Sequence, residues 1–272
     1  MRLIDSHCHL QADRFARDVD LVIGAARLAG VERILVPGWN VASSRSALEL
    51  VARHPWLDAS VGVHPHDAAS VDAAGWHEIE VMARDPRIVA IGETGLDFDR
   101  AFSPPEAQLQ NLRRNLVLSL ELAKPAILHC RSRAGARDAQ DTLLEELTRA
   151  GVGSADARAA FGSRPPAVIH SFSGPVDYAR DVLALGLAIS FSGLVFKAGE
   201  EASGDVAAIV PADRLLVETD SPYLAPPGAP RKRNEPEWVR VTAAWVGARR
   251  GVTAEELGSG LVTSYEALFG VP

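Results

Sequence analysis

The sequence predicts an α/β fold of the (β/α)8 TIM-barrel type, running as one domain over residues 1–272. Three observations point to it. Eight short apolar runs recur along the chain, and longer segments with helical patterning separate them. The runs are rich in Val, Ile and Leu and lack polar alternation, as expected of parallel strands covered on both faces. Reactive polar residues collect at the C-terminal ends of the runs, the face where a barrel assembles its site. An open doubly wound sheet is the alternative. The first two strand-to-helix turns carry no Gly-rich phosphate loop to support it.

The strands are expected at Leu3–Asp5, Arg33–Pro37, Ala59–Val63, Ile88–Glu93, Ala126–His129, Ala167–His170, Ala188–Phe191 and Leu215–Thr219. Helix signals fill the gaps. "DVDLVIGAARLAG" stops at Gly30 and "PVDYARDVLALG" at Gly186, where a glycine can end a helix. "SPPEAQLQNLRRNLVLSLELA" predicts Ser103 as N-cap, Pro104 at the first helical position and Glu106 completing a capping box. Thr253 and Glu256 form another such box before the last helix. The Gly- and Pro-rich stretches after Gly151 and after Tyr223 are expected to be surface excursions, because the strand–helix rhythm resumes after each.

Composition narrows the function classes. At 47% hydrophobic residues the chain can bury a large core. Its net charge of −7 argues against a general nucleic-acid coat, which needs clustered Lys and Arg. A local basic patch is still allowed. No run of about 18 apolar residues predicts a membrane span. The start "MRLIDSHCHL" lacks the apolar region of a signal peptide. Cys8 and Cys130 are the only two cysteines, which suits a reducing cytoplasm better than a disulfide framework. A monomer is the simplest expectation.

Six strand-end residues have the chemistry of a dinuclear metal site: His7, His9, Glu93, His129, His170 and Asp220. Imidazole and carboxylate suit Zn²⁺ and related ions. His7 and His9 stand two apart on an extended segment, so both rings face one side and Cys8 the other. Taken singly, a strand-end His is more often a hydrogen-bonded structural group, and a strand-end carboxylate often caps the next helix. Four histidines and two carboxylates on one face shift the reading to metal. Asp5 is expected to support the pair by accepting a hydrogen bond from an imidazole. His54 and His77 read as surface groups near helix ends. Cys8 and Cys130 read as packing beside the site.

The segments "IDSHCHL", "VGVHPH", "AIGETGLDF", "ILHCR", "HSFSG", "ETDSPYLAP" and "RNEP" occur in one order over nearly the whole chain. With them the sequence resembles the TatD family of metal-dependent hydrolases, within the wider amidohydrolase group of metal-bearing barrels. The resemblance implies two divalent metal ions. His7, His9, Glu93 and Asp220 would hold one; Glu93, His129 and His170 would hold the other, with Glu93 bridging. Other amidohydrolases bridge with a carboxylated Lys, and no Lys ends a predicted strand here. His64 takes the position of a substrate-phosphate contact, with His66 in the same segment. The activity implied is that of a 3′–5′ deoxyribonuclease acting on single-stranded DNA. Removal of D-amino acids from mischarged tRNA is another activity of members, and a catalytically silent metal-binding scaffold is a reading of a different class.

The chain departs from the family pattern at "HCRSRAGARDA", where "HCRDA" is usual. Either Asp138 continues the motif after an insertion or Ser132 replaces its Asp. Ser171 stands where the family often has Cys, and the loop after Gly151 is longer than usual. In the expected mechanism Asp220 accepts a proton from the attacking water. Arg131, His64 and the basic run Arg231-Lys232-Arg233 are candidate phosphate contacts, the last being equally a solvated turn. The histidine-rich set favours Zn²⁺ or Mn²⁺, while the resemblance also admits Mg²⁺.

Overall fold

The computed structural model describes residues 1–230 and 232–271. In chain order the elements are β1 (Leu3–Asp5), α1 (Val19–Leu28), β2 (Val31–Pro37), α2 (Val41–Arg53), β3 (Leu57–Val61), α3 (Ala73–Ala83), β4 (Ile88–Asp97), α4 (Pro105–Leu122), β5 (Ala126–Arg131), α5 (Asp138–Arg149), α6 (Ala155–Phe161), β6 (Ala167–Ile169), α7 (Val176–Ala184), β7 (Ala188–Phe191), α8 (Ser203–Ile209), β8 (Leu215–Val217), α9 (Val239–Arg250) and α10 (Ala254–Phe269). The eight strands form one sheet in sequential order, and every ladder is parallel. The ring closes between the segments after β1 and β8. Ser6 N donates to Val217 O (3.1 Å), His9 N to Ser221 O (2.8 Å) and Asp220 N to His7 O (2.9 Å). The predicted (β/α)8 barrel is the fold. No helix among the described residues is long and apolar enough to cross a membrane.

Strand interiors such as Ile34, Val36, Ile91, Leu128 and Ile189 are buried because helices cover the outside and side chains fill the inside. Leu112 and Leu116 of α4 and Leu143 and Leu147 of α5 supply the covering apolar stripes.

Local signals hold at several ends and fail at others. The Thr253–Glu256 capping box is present before α10. Gly30 and Gly186 follow the ends of α1 and α7 with φ near +90° and +86°, as helix stops require. Ser103 does not cap α4. That helix starts at Pro105 with Pro104 as its cap, while the Ser103 hydroxyl accepts from Ala69 N (3.1 Å) and donates to His66 O (2.8 Å). A tertiary partner claims the hydroxyl, so it ties two site loops together. The stretch after Gly151 is not merely an excursion, since it folds as α6, capped by Ser154. β4 runs four residues beyond its predicted end, to Asp97. Beyond Glu93, Gly95 continues the strand at φ +132°, where a Cβ would stand 1.9 Å from the His129 carbonyl oxygen. The extra strand length carries a second acidic residue into the site.

Candidate metal centre

The six strand-end residues converge. His7 and His9 follow β1, Glu93 lies in β4, His129 in β5, His170 directly after β6 and Asp220 just beyond β8. His7 Nε2 and His9 Nε2 are 3.2 Å apart, so both rings do face one side. Glu93 Oε2 stands 3.2 Å from His7 Nε2, and Asp220 Oδ1 stands 3.3 Å from His9 Nε2. The other oxygen, Glu93 Oε1, meets His170 Nε2 at 2.9 Å and His129 Nδ1 at 3.4 Å. One carboxylate thus faces two nitrogen clusters with two different oxygens.

The hydrogen bonds behind the rings decide which nitrogens are available. His129 Nε2 lies 3.3 Å from Asp97 Oδ2, and His170 Nδ1 lies 3.1 Å from Glu218 Oε1. A carboxylate can only accept, so these nitrogens carry the protons in the neutral rings. The lone pairs of His129 Nδ1 and His170 Nε2 are then left facing Glu93. His7 and His9 also turn Nε2 inward, and their buried Nδ1 atoms have no partner among the described residues. Four imidazole nitrogens and two carboxylates facing one small volume fit divalent cations, whose charge would offset the packed acceptors. His64 is different. Its Nδ1 accepts from His66 N (3.1 Å), which puts the proton on Nε2, 3.2 Å from Glu93 Oε1. It stands in the centre as a donor, suited to an anionic oxygen.

The electrostatics agree. Burial opposes ionisation of Glu93, yet His64, His170 and His7 hold its carboxyl well below the usual range. Asp220 is likewise lowered against burial, through His9 and His7. Burial works against a charged His170, but Glu93 and Glu218 raise it well above the ordinary imidazole value. A positive charge is therefore favoured at this point. Burial drops His64 to about 4, keeping it neutral.

Other expected residues fall in varied places. Asp5 does not bond an imidazole. Its carboxylate accepts from His7 N (3.3 Å), Thr219 N (2.9 Å) and Thr219 Oγ1 (2.5 Å), and so splices the segments after β1 and β8. Burial pushes its pKa up to about 8. Arg131 ends β5 at the rim, half-exposed, with Nη1 3.5 Å from Asp97. Of the basic run, Arg233 is committed to Asp18 and Glu235, a structural role; Lys232 is exposed, and Arg231 lies outside the described residues. Asp138 opens α5 and pairs with Arg133, while the Ser132 hydroxyl accepts from Ala139 N. Cys8 and Cys130 are buried free thiols. His54 ends α2 against Asp20; His77 is exposed, but mid-helix in α3.

Sequence reasoning missed Asp97 and Glu218. Asp97 accepts from His66 Nε2 (2.7 Å), His129 Nε2 (3.3 Å), Arg100 N (2.9 Å) and Asp99 N (3.2 Å). Despite burial, bonds from His129 and His66 hold it well below the usual carboxylate range. The signal for Glu218 was its place two residues before Asp220. The signal for Asp97 was hidden by the misread end of β4. Trp39 and Tyr223 were also missed; both stand edge-on to the His9 ring, at 5.1 Å and 5.9 Å between centroids. A cavity of about 1230 Å³ opens above the cluster.

Residues 4–270 match the family model described as TatD related DNase. The chain belongs to this family. The 3′-5′ ssDNA/RNA exonuclease TatD of Klebsiella pneumoniae (strain 342) is 36% identical over 99% of this chain and 98% of its own. An uncharacterized metal-dependent hydrolase of Bacillus subtilis, YabD, is 31% identical over 99% of each chain. Among solved structures, the Escherichia coli TatD homolog YJJV superposes with a TM-score of 0.87 at 28% identity, covering 100% of this chain and 99% of that one. This TatD-family chain is a hydrolase, and its strand-end His, Glu and Asp groups are candidate ligands of the family's metal chemistry.

Proposed function

We propose that this protein is a 3′–5′ exonuclease of single-stranded nucleic acid, with two divalent ions held at the barrel mouth. His7, His9 and Asp220 would hold one ion, His129 and His170 the other, and Glu93, which faces both clusters, would serve both. The observation that carries the reading is the placement of Asp97 and Glu218, which take the far N–H of His129 and His170, so that in the neutral rings the lone pairs face Glu93. The exonuclease names of relatives such as the Klebsiella protein supply the substrate class. One copy of the chain carries the whole set, so the reading requires no partner subunit.

Bound there, divalent ions would supply Lewis acidity at the phosphoryl group and lower the pKa of water. The chain's residues do the rest. The Asp220 carboxylate, at the cavity floor, accepts the proton of the attacking water. Neutral His64 donates from Nε2 to a non-bridging phosphate oxygen. Arg131 at the rim adds a charged donor to the same or the next phosphate. The imidazole-rich set favours Zn²⁺ or Mn²⁺ as the resident ions, with Mg²⁺ as a competitor.

The test is hydrolysis of a 3′- or 5′-labelled single-stranded oligonucleotide with Mn²⁺ or Mg²⁺, comparing the native protein with His129→Ala and Asp220→Asn. Stepwise shortening from the 3′ end is expected, lost in both variants, with Asp220→Asn retaining metal. Equal activity of native protein and His129→Ala would overturn the metal assignment. Release of D-amino acids from mischarged tRNA without strand shortening would overturn the substrate.

A further inference from the structure

We propose that the rim built from the loops after β4 and β5 is a subsite for the retained part of the strand. Phe102 would serve as a base-stacking platform and Arg133 and Arg100 as phosphate contacts. The inference rests on the exonuclease reading and adds where the uncut chain lies. A lone exposed Phe needs no explanation. Phe102, however, is 68% exposed two residues from cavity-lining Arg100, and its ring meets His66 edge-on at 4.7 Å. His66 in turn lines the cavity and bonds Asp97, which also holds Arg100 N and faces Arg131. One buried carboxylate therefore ties the platform, its neighbouring cations and the metal centre into one unit.

The charge is one-sided. In a chain of net charge −7, the arginines that line the cavity, Arg100, Arg131, Arg133 and Arg137, all come from these two neighbouring segments. The wall after β6 and β7 offers Ser171, Ser173 and the carboxylate of Glu200 instead. Arg137 is engaged by Asp141 and Asp177, and Arg131 faces Asp97. Arg100 and Arg133 are well exposed, paired at 3.9 Å with Asp99 and 3.1 Å with Asp138. Surface pairs of this kind are weak and give way to a phosphate. Arg133 also sits in "HCRSRAGARDA", where the chain departs from the expected "HCRDA". Cationic walls with aromatic faces are how single strands are held without base reading. A 3′ exonuclease has one nucleoside beyond the scissile phosphate and all other phosphates before it. The cationic wall suits the latter, and the His9 side, flanked by Trp39 and Tyr223, suits the departing nucleoside.

The experiment uses metal-loaded protein. Binding of a fluorescein-labelled phosphorothioate strand of twelve nucleotides, resistant to hydrolysis, is measured by anisotropy over a salt series. Hydrolysis of oligothymidylates from two to twelve nucleotides, and of bis(p-nitrophenyl) phosphate, is measured in parallel. Phe102→Ala is expected to weaken strand binding about tenfold, and Phe102→Tyr to restore it. Arg133→Ala is expected to weaken binding and to reduce the log–log salt slope by about 0.7. The small diester is expected to be cut at the native rate by every variant. The subsite is overturned if the native protein binds no strand, if the variants bind as the native protein does, or if the small diester loses rate in parallel. A strand that is bound through Phe102 and Arg133 but never cut would leave the subsite standing and refute the exonuclease. Cutting with one KM at every length, indifferent to the variants, would do the reverse.

Discussion

Asp97→Asn is the sharpest test of how this centre is built. The native carboxylate uses Oδ1 for the amides of Asp99 and Arg100, and Oδ2 for His66 and His129. All of these partners present N–H. An amide has one accepting atom and one donating atom, so whichever way Asn turns, one pair of donors meets an NH₂ group. With Oδ1 kept on the backbone, the NH₂ faces His129 Nε2. The proton then moves to Nδ1, and the lone pair turns away from Glu93. Loss of such an outer partner costs roughly 10–100-fold in metal affinity, or about 1.4–2.8 kcal/mol. The loss should fall on one ion only, because His7, His9 and Asp220 make no bond to Asp97 among the described residues. Competition titration with a chromophoric chelator resolves this as one weakened step and one unchanged step, with strand hydrolysis falling in parallel. Two native-like steps would refute the tautomer reasoning, and loss of both would mean that Asp97 supports the fold rather than His129.

Glu218→Gln is expected to act in the same way through His170, weakening the same step by a similar factor in the same titration. Metal uptake should release a proton from His170. Glu93 and Glu218 outweigh burial and raise its pKa, so its proton stabilises the metal-free fold fully below the unfolded value of about 6.5 and is lost as pH rises through the raised folded value. Calorimetry of metal binding at pH 7 in buffers of different ionisation enthalpy should show that proton, and His170→Ala should lack it. Gly95→Ala should destabilise by more than about 3 kcal/mol, since the strained φ and the overlap with the His129 carbonyl both oppose it. That lowers Tm by roughly 10 °C in a thermal melt, and a native Tm would refute the register of β4 on β5. Burial pushes the Cys130 thiol up to about 12 and the Cys8 thiol well above its ordinary value. A thiol reagent at pH 8 should therefore titrate neither cysteine in the native protein and both after denaturation.

The candidate ligands were legible because parallel strands announce themselves twice. An apolar run marks the strand, and in a barrel the end of every run lies on one face. His7, His9, Glu93, His129, His170 and Asp220 could be paired with their strands by counting along the chain. Local chemistry misled where a tertiary partner outcompeted a local one. Ser103 had the spacing of an N-cap, yet its hydroxyl bridges His66 O and Ala69 N. Asp5 sat beside two imidazoles, yet it bonds Thr219, more than two hundred positions away in the chain. The fourth strand was expected to stop at Glu93, because the pattern around Gly95 gives no hint of the strand partners that extend β4 to Asp97.

The sequence by itself determined the barrel, the face that carries the chemistry and the residue types gathered there, because these follow from periodicity and from the ends of apolar runs. It could not determine which nitrogen of His129 and of His170 offers its lone pair inward, or that His64 enters the centre as a donor. Those choices are made by Asp97, Glu218 and the amide of His66, groups brought against the rings only when strands distant in sequence align. A ring's two nitrogens are chemically alike until a neighbour takes one proton, and that neighbour is supplied by tertiary structure alone.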